Sequence, residues 1–320
     1  MWLFFDQSVN DFDGRAGVWF SVCSNPDDKK PVWSAPKRLW HGTAKSKPIV
    51  LSNGAWLLPV SLLNRGIIDK NPPTYLNAYT ELDSLRMAHV FISYDQGESW
   101  QRQGGVRFPD ASYDEHHVVE RNNHDLWMTA RTNNGIWESV SKDQGKTWSK
   151  PAQLLPHISS RHFIRRLKSG NILLVKHGEL NERTKTRSKL MAFLSGDDGR
   201  TWQGGLMLDE RRGISYPDGF QSAEGMIYIS YDHNRATDGH IMMAKFSEED
   251  VFNKNFGSKN ARSKQLIAEP KGLDKLTPPS HLLKMDREKS ARILNIPSVV
   301  ASVRGDKIMK VKKRRKGLYG

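Results

Sequence analysis

The chain has 320 residues, enough to bury a large core in one all-β domain or in two domains of ordinary size. Its single cysteine, Cys23, excludes an intrachain disulfide, and no apolar run of about 18 residues predicts a membrane-spanning helix. The formal net charge of +14 suits an anionic partner. Ten Trp and many short apolar runs punctuated by glycine favour an all-β fold.

The first half of the chain predicts a series of strands from its first residues onward. A strand is expected over residues 2–5, and this start is not typical of a signal peptide because it lacks a basic segment and a long apolar run. An outer hairpin is predicted over residues 18–34. An inner hairpin follows over residues 48–60, where Asn53-Gly54 separates two apolar runs, and similar hairpins are predicted over residues 117–128 and 163–175.

One eight-residue motif, Ser-x-Asp-x-Gly-x-Ser/Thr-Trp, occurs at residues 93–100, 141–148 and 195–202. Its aspartates recur at intervals of 48 and 54 residues, which predicts a repeat unit of about fifty residues. The aspartate accepts hydrogen bonds from nearby backbone N–H groups, the glycine supplies a positive φ, and the tryptophan covers the turn. Each copy follows an apolar run, so each is predicted to be a hairpin turn between two strands.

The C-terminal part of the chain differs from the rest. An outer hairpin without the motif is predicted to begin at residue 241, residues 264–290 read as irregular or briefly helical, and residues 298–311 could form one hairpin. Residues 301–320 contain eight Lys or Arg and one acid, concentrated in a basic tail at residues 304–316. We interpret this tail as a solvated end, so nucleic acid is not an expected partner.

The repeated motif resembles the Asp-box, the bacterial neuraminidase repeat, and residues 2–250 resemble the sialidase family. The resemblance implies an all-β, six-bladed β-propeller with four strands per blade. Only five outer hairpins are found, so we expect part of the first blade to precede Met1, or residues 260–320 to complete the closure. We place the propeller at residues 1–260 and a C-terminal extension at residues 261–320. Asp-boxes also occur in propellers that are not sialidases, so function must be argued from site residues.

The resemblance implies a catalytic pair. Glu115 opens a predicted strand, as the base of sialidases does, and Tyr216 opens a later inner hairpin, where sialidases place their nucleophile. Sialic acid bears a carboxylate on its anomeric carbon, so a neutral phenol avoids the repulsion that a carboxylate nucleophile would meet. A phenol with a pKa near 10 needs an adjacent base, and that base would be Glu115. Asp13 is the implied general acid/base, with Asp11 as the second choice.

The resemblance also implies an arginine cluster for the substrate carboxylate. Arg131 ends the strand after Glu115, and Arg187 precedes the third Asp-box, with Arg183 as its competitor. Sialidases have a further arginine in the first blade, before the strand at residues 2–5, and this sequence does not contain it. Losing one bidentate contact would weaken carboxylate binding. Three other arginines, Arg15, Arg65 and Arg161, could substitute for this first-blade arginine. The remaining residues assigned to substrate binding are His116 and Asp218.

Structural interpretations of the same residues stay open. Glu115 could be an exposed loop acid, Arg131 a salt-bridge partner at a blade edge, Tyr216 an aromatic packed on Pro217, and Asp13 part of an Asp-Gly turn. Arg187 lies in a loop so rich in charge that it could simply be solvated.

The sequence therefore predicts an exo-sialidase-like glycoside hydrolase that releases terminal sialic acid with retention, with a sialylated or other acidic glycan as its partner. The alternatives are a propeller that acts on a uronic-acid glycan as hydrolase or lyase, and a non-catalytic glycan-binding propeller. The histidines show no spacing such as His-Glu-x-x-His, so no metal and no cofactor is predicted. The pattern indicates no particular oligomeric state or compartment.

Overall fold

A computed structural model of the chain describes residues 1–7, 16–68, 78–111 and 113–270. These residues form strands with very little helix. A 3₁₀ helix spans Thr80–Leu85. The other elements, in chain order, are β1 (Trp2–Gln7), β2 (Gly17–Val22), β3 (Lys37–His41), β4 (Ile49–Val50), β5 (Trp56–Ser61), α1 (Arg65–Ile68), β6 (Ala88–Ser93), β7 (Gln101–Val106), β8 (Asp114–Glu120), β9 (Leu126–Thr132), β10 (Gly135–Ser141), β11 (Ala152–Leu155), β12 (Phe163–Arg166), β13 (Ile172–His177), β14 (Ser188–Ser195), β15 (Gln203–Arg212), β16 (Ile214–Gln221), β17 (Ile227–His233), β18 (His240–Phe246), α2 (Glu248–Asn253) and β19 (Arg262–Ala268).

The strands form five sheets in a five-bladed β-propeller arrangement. Blade 1 has three strands, β1–β3, and the other blades have four each: β4–β7 in blade 2, β8–β11 in blade 3, β12–β15 in blade 4 and β16–β19 in blade 5. Each strand pairs with the next one along the chain, which gives the short connections and up-and-down order of a propeller blade. No helix of the described residues is long and apolar enough to cross a membrane.

The prediction of six blades was wrong. The sequence itself contains five outer hairpins, and the sixth blade was added only because the family plan has six. In the described residues, the chain after β18 does not begin a new blade: β19 pairs with β18 in antiparallel register, with Met242 opposite Leu266 and Met243 opposite Gln265. That strand supplies the outer edge of blade 5. The basic tail at residues 304–316 lies outside the described residues.

The chain divides into two compact units. The larger unit, residues 4–19 and 39–270, contains the four four-stranded blades. The described part of the smaller unit, residues 1–3 and 20–38, is organised around Cys23, which is buried and reduced and forms an isolated bridge with Trp33. The Met1 ammonium group donates a hydrogen bond to the Cys23 carbonyl (2.6 Å), and the Trp2 and Phe20 rings are 5.2 Å apart.

The three Asp-boxes form hairpin turns between the third and fourth strands of blades 2, 3 and 4, as predicted. In the second box the Asp143 carboxylate accepts hydrogen bonds from the Thr147 N–H (2.8 Å), the Thr147 hydroxyl (2.6 Å) and the Ser141 hydroxyl (2.8 Å). These bonds, those from Thr147 above all, lower the pKa of Asp143 to about 2. Gln144 and Gly145 both have positive φ, 58° and 84°. The motif thus fixes its own turn by local bonds.

The core lies between neighbouring blades. Leu173 and Val175 of blade 4 belong to one buried cluster with Ile229 of blade 5. Trp127 of blade 3 belongs to another with Leu174 of blade 4. The sheet of blade 4 is covered on both faces, by blade 3 on one side and blade 5 on the other, so its middle strands are continuous apolar runs and β13 is buried along its whole length. In this packing β12, the first strand of blade 4, lies against β8 and β16, the first strands of blades 3 and 5.

Candidate active site

Glu115 lies at a bulge at the start of β8. The pairing of β8 with β9 shifts register between Asp114 and His117, and both Asp114 and Glu115 have positive φ, 52° and 42°. A left-handed backbone at a residue other than glycine costs on the order of 1–3 kcal/mol and concentrates at functional sites. The bulge changes the direction of the side chain relative to a regular strand. Asp114 is buried too, which raises its pKa to about 6 despite a hydrogen bond from the Ser61 hydroxyl.

The Glu115 carboxylate binds Tyr216, the partner that the resemblance implied for it, and also Arg131, which the resemblance assigned to the substrate carboxylate. Its Oε2 accepts a hydrogen bond from Nη1 of Arg131 (2.8 Å), and its Oε1 accepts one from the Tyr216 hydroxyl (2.6 Å). Glu115 and Arg131 are 2% and 5% exposed, so the ion pair is buried. Blades 3 and 5 therefore meet at one carboxylate, and neither Glu115 nor Arg131 is a solvated surface charge.

Tyr216 is presented by a second bulge. The register of β16 against β17 shifts between Ser215 and Asp218, and Tyr216 has a φ of 54°. Burial raises the pKa of the phenol, and the negative charge of Glu115 and the hydrogen bond to it raise it further, whereas the charges of Arg131 and Arg235 lower it. The phenol is therefore protonated at rest, and its proton lies on the bond to Glu115.

Arg235 is a site residue that the sequence analysis missed. Its guanidinium carbon is 4.2 Å from the centroid of the Tyr216 ring. Nε donates to Oδ2 of Asp232 (2.8 Å), and Nη2 donates to the Ser215 hydroxyl (2.9 Å). A guanidinium over an aromatic face is attracted by the ring and would stabilise a phenolate more strongly still. No motif marks Arg235, and only the pairing of β17 with β16 brings it to Tyr216.

Arg187 and Arg131 are joined by Ser159, which was also missed. The Ser159 hydroxyl lies 3.3 Å from both Nε and Nη2 of Arg131, and its carbonyl accepts a hydrogen bond from Nη2 of Arg187 (3.1 Å). Burial and the charge of Arg131 lower the pKa of Arg187. Within the part of the chain that the structure describes, no carboxylate forms an ion pair with Arg187, so the site carries uncompensated positive charge beside Glu115.

Arg161 lies directly beneath the loop that bears Tyr216. It is 4% exposed, and its Nη1 donates to the Pro217 carbonyl (3.1 Å). Its Nε and Nη2 have no hydrogen-bond partner among the described residues. Burial, with a further contribution from the charge of Arg161, lowers the pKa of neighbouring His162 to about 3. This imidazole is therefore neutral near pH 7 and does not compete with Arg161 for an anion.

Two further predicted residues are held by neighbours in the fold. His116 is buried, and its Nε2 is 2.7 Å from the carbonyl of His89 in blade 2. Asp218, two residues after Tyr216, lies 3.5 Å from Nζ of Lys47 and accepts a hydrogen bond from the Gly219 N–H. Their assignment to substrate binding stays a prediction.

The remaining predicted arginines have other partners or cannot be placed. Nε of Arg65 donates to both oxygens of Asp83 (2.8 Å each), and the exposed Arg183 donates to the Asn133 carbonyl (2.9 Å). The predicted positions that lie outside the described residues are Asp11, Asp13 and Arg15.

A model of the family described as "BNR repeat-like domain" matches residues 1–229. The chain belongs to this family. The match confirms the resemblance on which the Asp-box assignment rested, and it spans all three boxes together with Glu115 and Tyr216. Arg235 lies beyond its end. A search of curated proteins finds no match.

Solved sialidases resemble this BNR repeat-like protein in fold. They include the NanB sialidase from Streptococcus pneumoniae, with 14% identity and a TM-score of 0.56 over 74% of this chain and 36% of that one. The intramolecular trans-sialidase from Ruminococcus gnavus has 16% identity and a TM-score of 0.55 over 74% and 52%. The leech intramolecular trans-sialidase has 17% identity and a TM-score of 0.53 over 75% and 37%. The chain thus spans about a third to a half of their length, and at this identity the likeness shows the fold.

Proposed function

We propose that this protein is an exo-sialidase-like glycoside hydrolase that acts with retention on a terminal sugar bearing a carboxylate. One observation carries the proposal: Oε1 of Glu115 accepts a hydrogen bond from the Tyr216 hydroxyl (2.6 Å) while Oε2 accepts one from Arg131 (2.8 Å). A weak nucleophile, an adjacent base and a cation that orients the base are the parts of an activated nucleophile. The fold of the BNR repeat-like family and its sialidase neighbours support the same activity.

The first step is attack by Tyr216. Its oxygen bonds to the anomeric carbon as the phenolic proton moves to Glu115, and the bond to the leaving oxygen breaks. The charges of Arg131 and Arg235, which already lower the pKa of Tyr216, stabilise the negative charge that develops on the phenol oxygen. The neutral resting phenol also suits an anomeric carbon that carries a carboxylate, because it adds no like charge.

The remaining proton transfers need a general acid. We propose Asp13 for this role from the sequence alone. It would protonate the leaving oxygen in the first step and then deprotonate a water that attacks the glycosyl-tyrosine. The tyrosine oxygen then recovers its proton from Glu115, which returns the site to its starting state. Two displacements at one carbon give net retention.

The arginines supply the carboxylate site. Arg187 has no carboxylate partner in the described part of the chain. In that part Arg131 pairs with one carboxylate, that of Glu115, which also binds the Tyr216 hydroxyl. Arg161 offers two unused donors beneath Tyr216. A substrate carboxylate would compensate this charge and satisfy donors that bind carboxylates with directional, charge-assisted hydrogen bonds.

The test is release of 4-methylumbelliferone from its α-sialoside by the unaltered chain and by Tyr216→Phe. We expect turnover in the former and a loss of at least about a thousandfold in the latter. Tyr94→Phe is the matched control, because Tyr94 is 57% exposed and its hydroxyl donates only to Oε1 of Gln144 (3.3 Å) among the described residues. A folded chain that cleaves the corresponding glucuronide and not the sialoside, or that cleaves neither, would overturn the proposal.

A further inference from the structure

Two histidines face each other at the end of blade 5. His233 is the last residue of β17 and His240 the first of β18, and the two are opposite in the antiparallel register. Their ring centroids are 6.1 Å apart, with 29° between the ring planes. Directly opposed residues of antiparallel strands project to the same face of the sheet. Both imidazoles therefore lie on one side of the hairpin that joins the two strands.

A carboxylate completes the group. Asp238 lies in the loop between the strands, and one carboxylate oxygen of Asp238 and one nitrogen of each histidine all lie within 4.8 Å of one another. Nδ1 of His233 is buried and has no hydrogen-bond partner among the described residues. A buried imidazole nitrogen without a partner is costly unless a ligand satisfies it.

We propose that His233, Asp238 and His240 bind one divalent transition-metal ion, of which Zn²⁺ is the best fit. Two imidazole nitrogens with one carboxylate oxygen suit Zn²⁺ and its first-row neighbours, whereas Ca²⁺ and Mg²⁺ select oxygen ligands. In a tetrahedral zinc site the ligand atoms are roughly 3.3 Å apart, so these three, which lie within 4.8 Å of one another, would have to approach by about 1.5 Å at most. Water would fill the fourth position.

The loop is built to hold these ligands. The N–H groups of Thr237 and Gly239 both donate to the Asn234 carbonyl at 2.9 Å, and the Asn234 N–H donates to the Gly213 carbonyl at 2.8 Å. The Asn234 side chain donates to Oδ2 of Asp238 at 2.7 Å, which leaves the other oxygen for the ion. Such outer hydrogen bonds orient the ligands of metal sites. The turn is thus fixed without the ion, and the ion would fix the side chains.

The His-Glu-x-x-His pattern could not reveal this group, because that pattern describes neighbours on a helix. Here the two histidines are seven positions apart in the chain and meet across a strand pair. The same loop carries Arg235, two residues after His233, so the ion would stabilise the segment from which Arg235 reaches the Tyr216 ring. Metal binding itself does not depend on the proposed hydrolase activity.

The experiment titrates the chelator-stripped full chain with Zn²⁺ by isothermal calorimetry and, in parallel, with Co²⁺ by its visible absorption. We expect one ion per chain and Co²⁺ bands typical of nitrogen and oxygen ligation. His240→Gln and Asp238→Asn should each weaken Zn²⁺ binding at least about 100-fold, and Asn234→Ala about 10-fold to 100-fold. His124→Gln is the matched control, because this histidine is 71% exposed in a turn of blade 3 and should leave binding unchanged.

Circular dichroism and the melting temperature in chelator confirm that each variant is folded. The proposal is overturned if the unaltered chain binds no Zn²⁺, or if folded His240→Gln and Asp238→Asn bind it as the unaltered chain does. In the second case the ion would belong to other histidines. A rise in melting temperature with Zn²⁺ in the unaltered chain and in His124→Gln, and in neither ligand variant, would support it.

Discussion

The guanidinium of Arg235 lies over the ring of Tyr216, 4.2 Å from its centroid, and does so while bound to Asp232 and Ser215. The arginine is therefore held in position by its own blade and needs no substrate to place it. Its charge is one of two that lower the pKa of Tyr216 against the effects of burial and of Glu115. This arrangement favours the phenolate form, which the proposed mechanism generates only during the reaction.

Arg235→Gln should therefore slow the chemical step. A cation over an aromatic ring contributes about 0.5–2 kcal/mol, so we expect kcat on the α-sialoside to fall about 2-fold to 30-fold with a smaller change in KM. The pKa of Tyr216 should rise, which is measured by ultraviolet difference titration against Tyr216→Phe. Arg235→Lys should restore part of kcat. An unchanged Tyr216 titration in Arg235→Gln would show that the arginine does not act on the phenol.

Arg187→Met should act on substrate binding. Arg187 is half-buried, and in the described residues its guanidinium donates a hydrogen bond only to the Ser159 carbonyl and has no carboxylate partner. Removing one charge-assisted contact to the substrate carboxylate costs about 1.5–3 kcal/mol, so we expect KM for the sialoside to rise about 10-fold to 150-fold.

Arg183→Met is the control for that variant, because Arg183 lies in the same loop, is exposed and donates to the Asn133 carbonyl. Michaelis–Menten analysis of both variants separates the two arginines. If Arg183→Met raises KM and Arg187→Met does not, the assignment of the carboxylate-binding arginine is reversed.

The sequence predicted those features that neighbouring residues determine. Each Asp-box contains both partners of its own hydrogen bonds, as Asp143 and Thr147 do, so the turn follows from the motif. The number of blades depends instead on which strand pairs with which across the chain, and the partner of β18 is not marked by any motif. The plan of the family suggested a sixth blade in place of that missing information, whereas the described residues form five.

The site divides in the same way. Glu115, Arg131 and Tyr216 stand at positions that the sialidase resemblance specifies, and the structure brings them into contact. Ser159 and Arg235 were missed because each belongs to a loop with no motif. Ser159 contacts Arg131, 28 positions before it, and Arg235 contacts Tyr216, 19 positions before it. Only the folded structure shows such contacts.

Gly199→Ala should destabilise the fold strongly. This third-box glycine has a φ of 86°, and a Cβ there would lie 2.4 Å from Cη2 of Trp127, which is fully buried. Gly54→Ala is a matched control, since Gly54 has a φ of 84° and open space around its Cβ position. Both variants incur left-handed strain of about 1–2 kcal/mol.

Only Gly199→Ala adds overpacking, which costs about 1–3 kcal/mol more. Denaturant unfolding of both variants should show that difference in the free energy of unfolding. Equal destabilisation would mean that Trp127 can move away from the turn, and that the box does not depend on close contact with the neighbouring blade.

His162 should make the fold sensitive to acid. It is fully buried with its Nε2 2.8 Å from the Thr129 hydroxyl, and burial lowers its pKa from the ordinary 6.5 to about 3. Because the folded-state pKa is depressed, the unfolded chain binds a proton that the folded chain does not between those values. The stability that neutral His162 contributes is therefore complete above about pH 6.5 and is lost as the pH falls toward 3.

His162→Gln keeps a hydrogen-bonding group for Thr129 and removes the titration. The free energy of unfolding, measured by urea at intervals from pH 6 to pH 5, should fall less steeply in the variant than in the unaltered chain, by about 1.2 kcal/mol over that interval. Other buried histidines, His116 and His177 among them, have pKa values lowered to about 4, mainly by burial, so part of the acid sensitivity should remain. Parallel pH dependences for the two proteins would show that His162 binds its proton equally in the folded and unfolded states, which its burial beside Arg161 argues against.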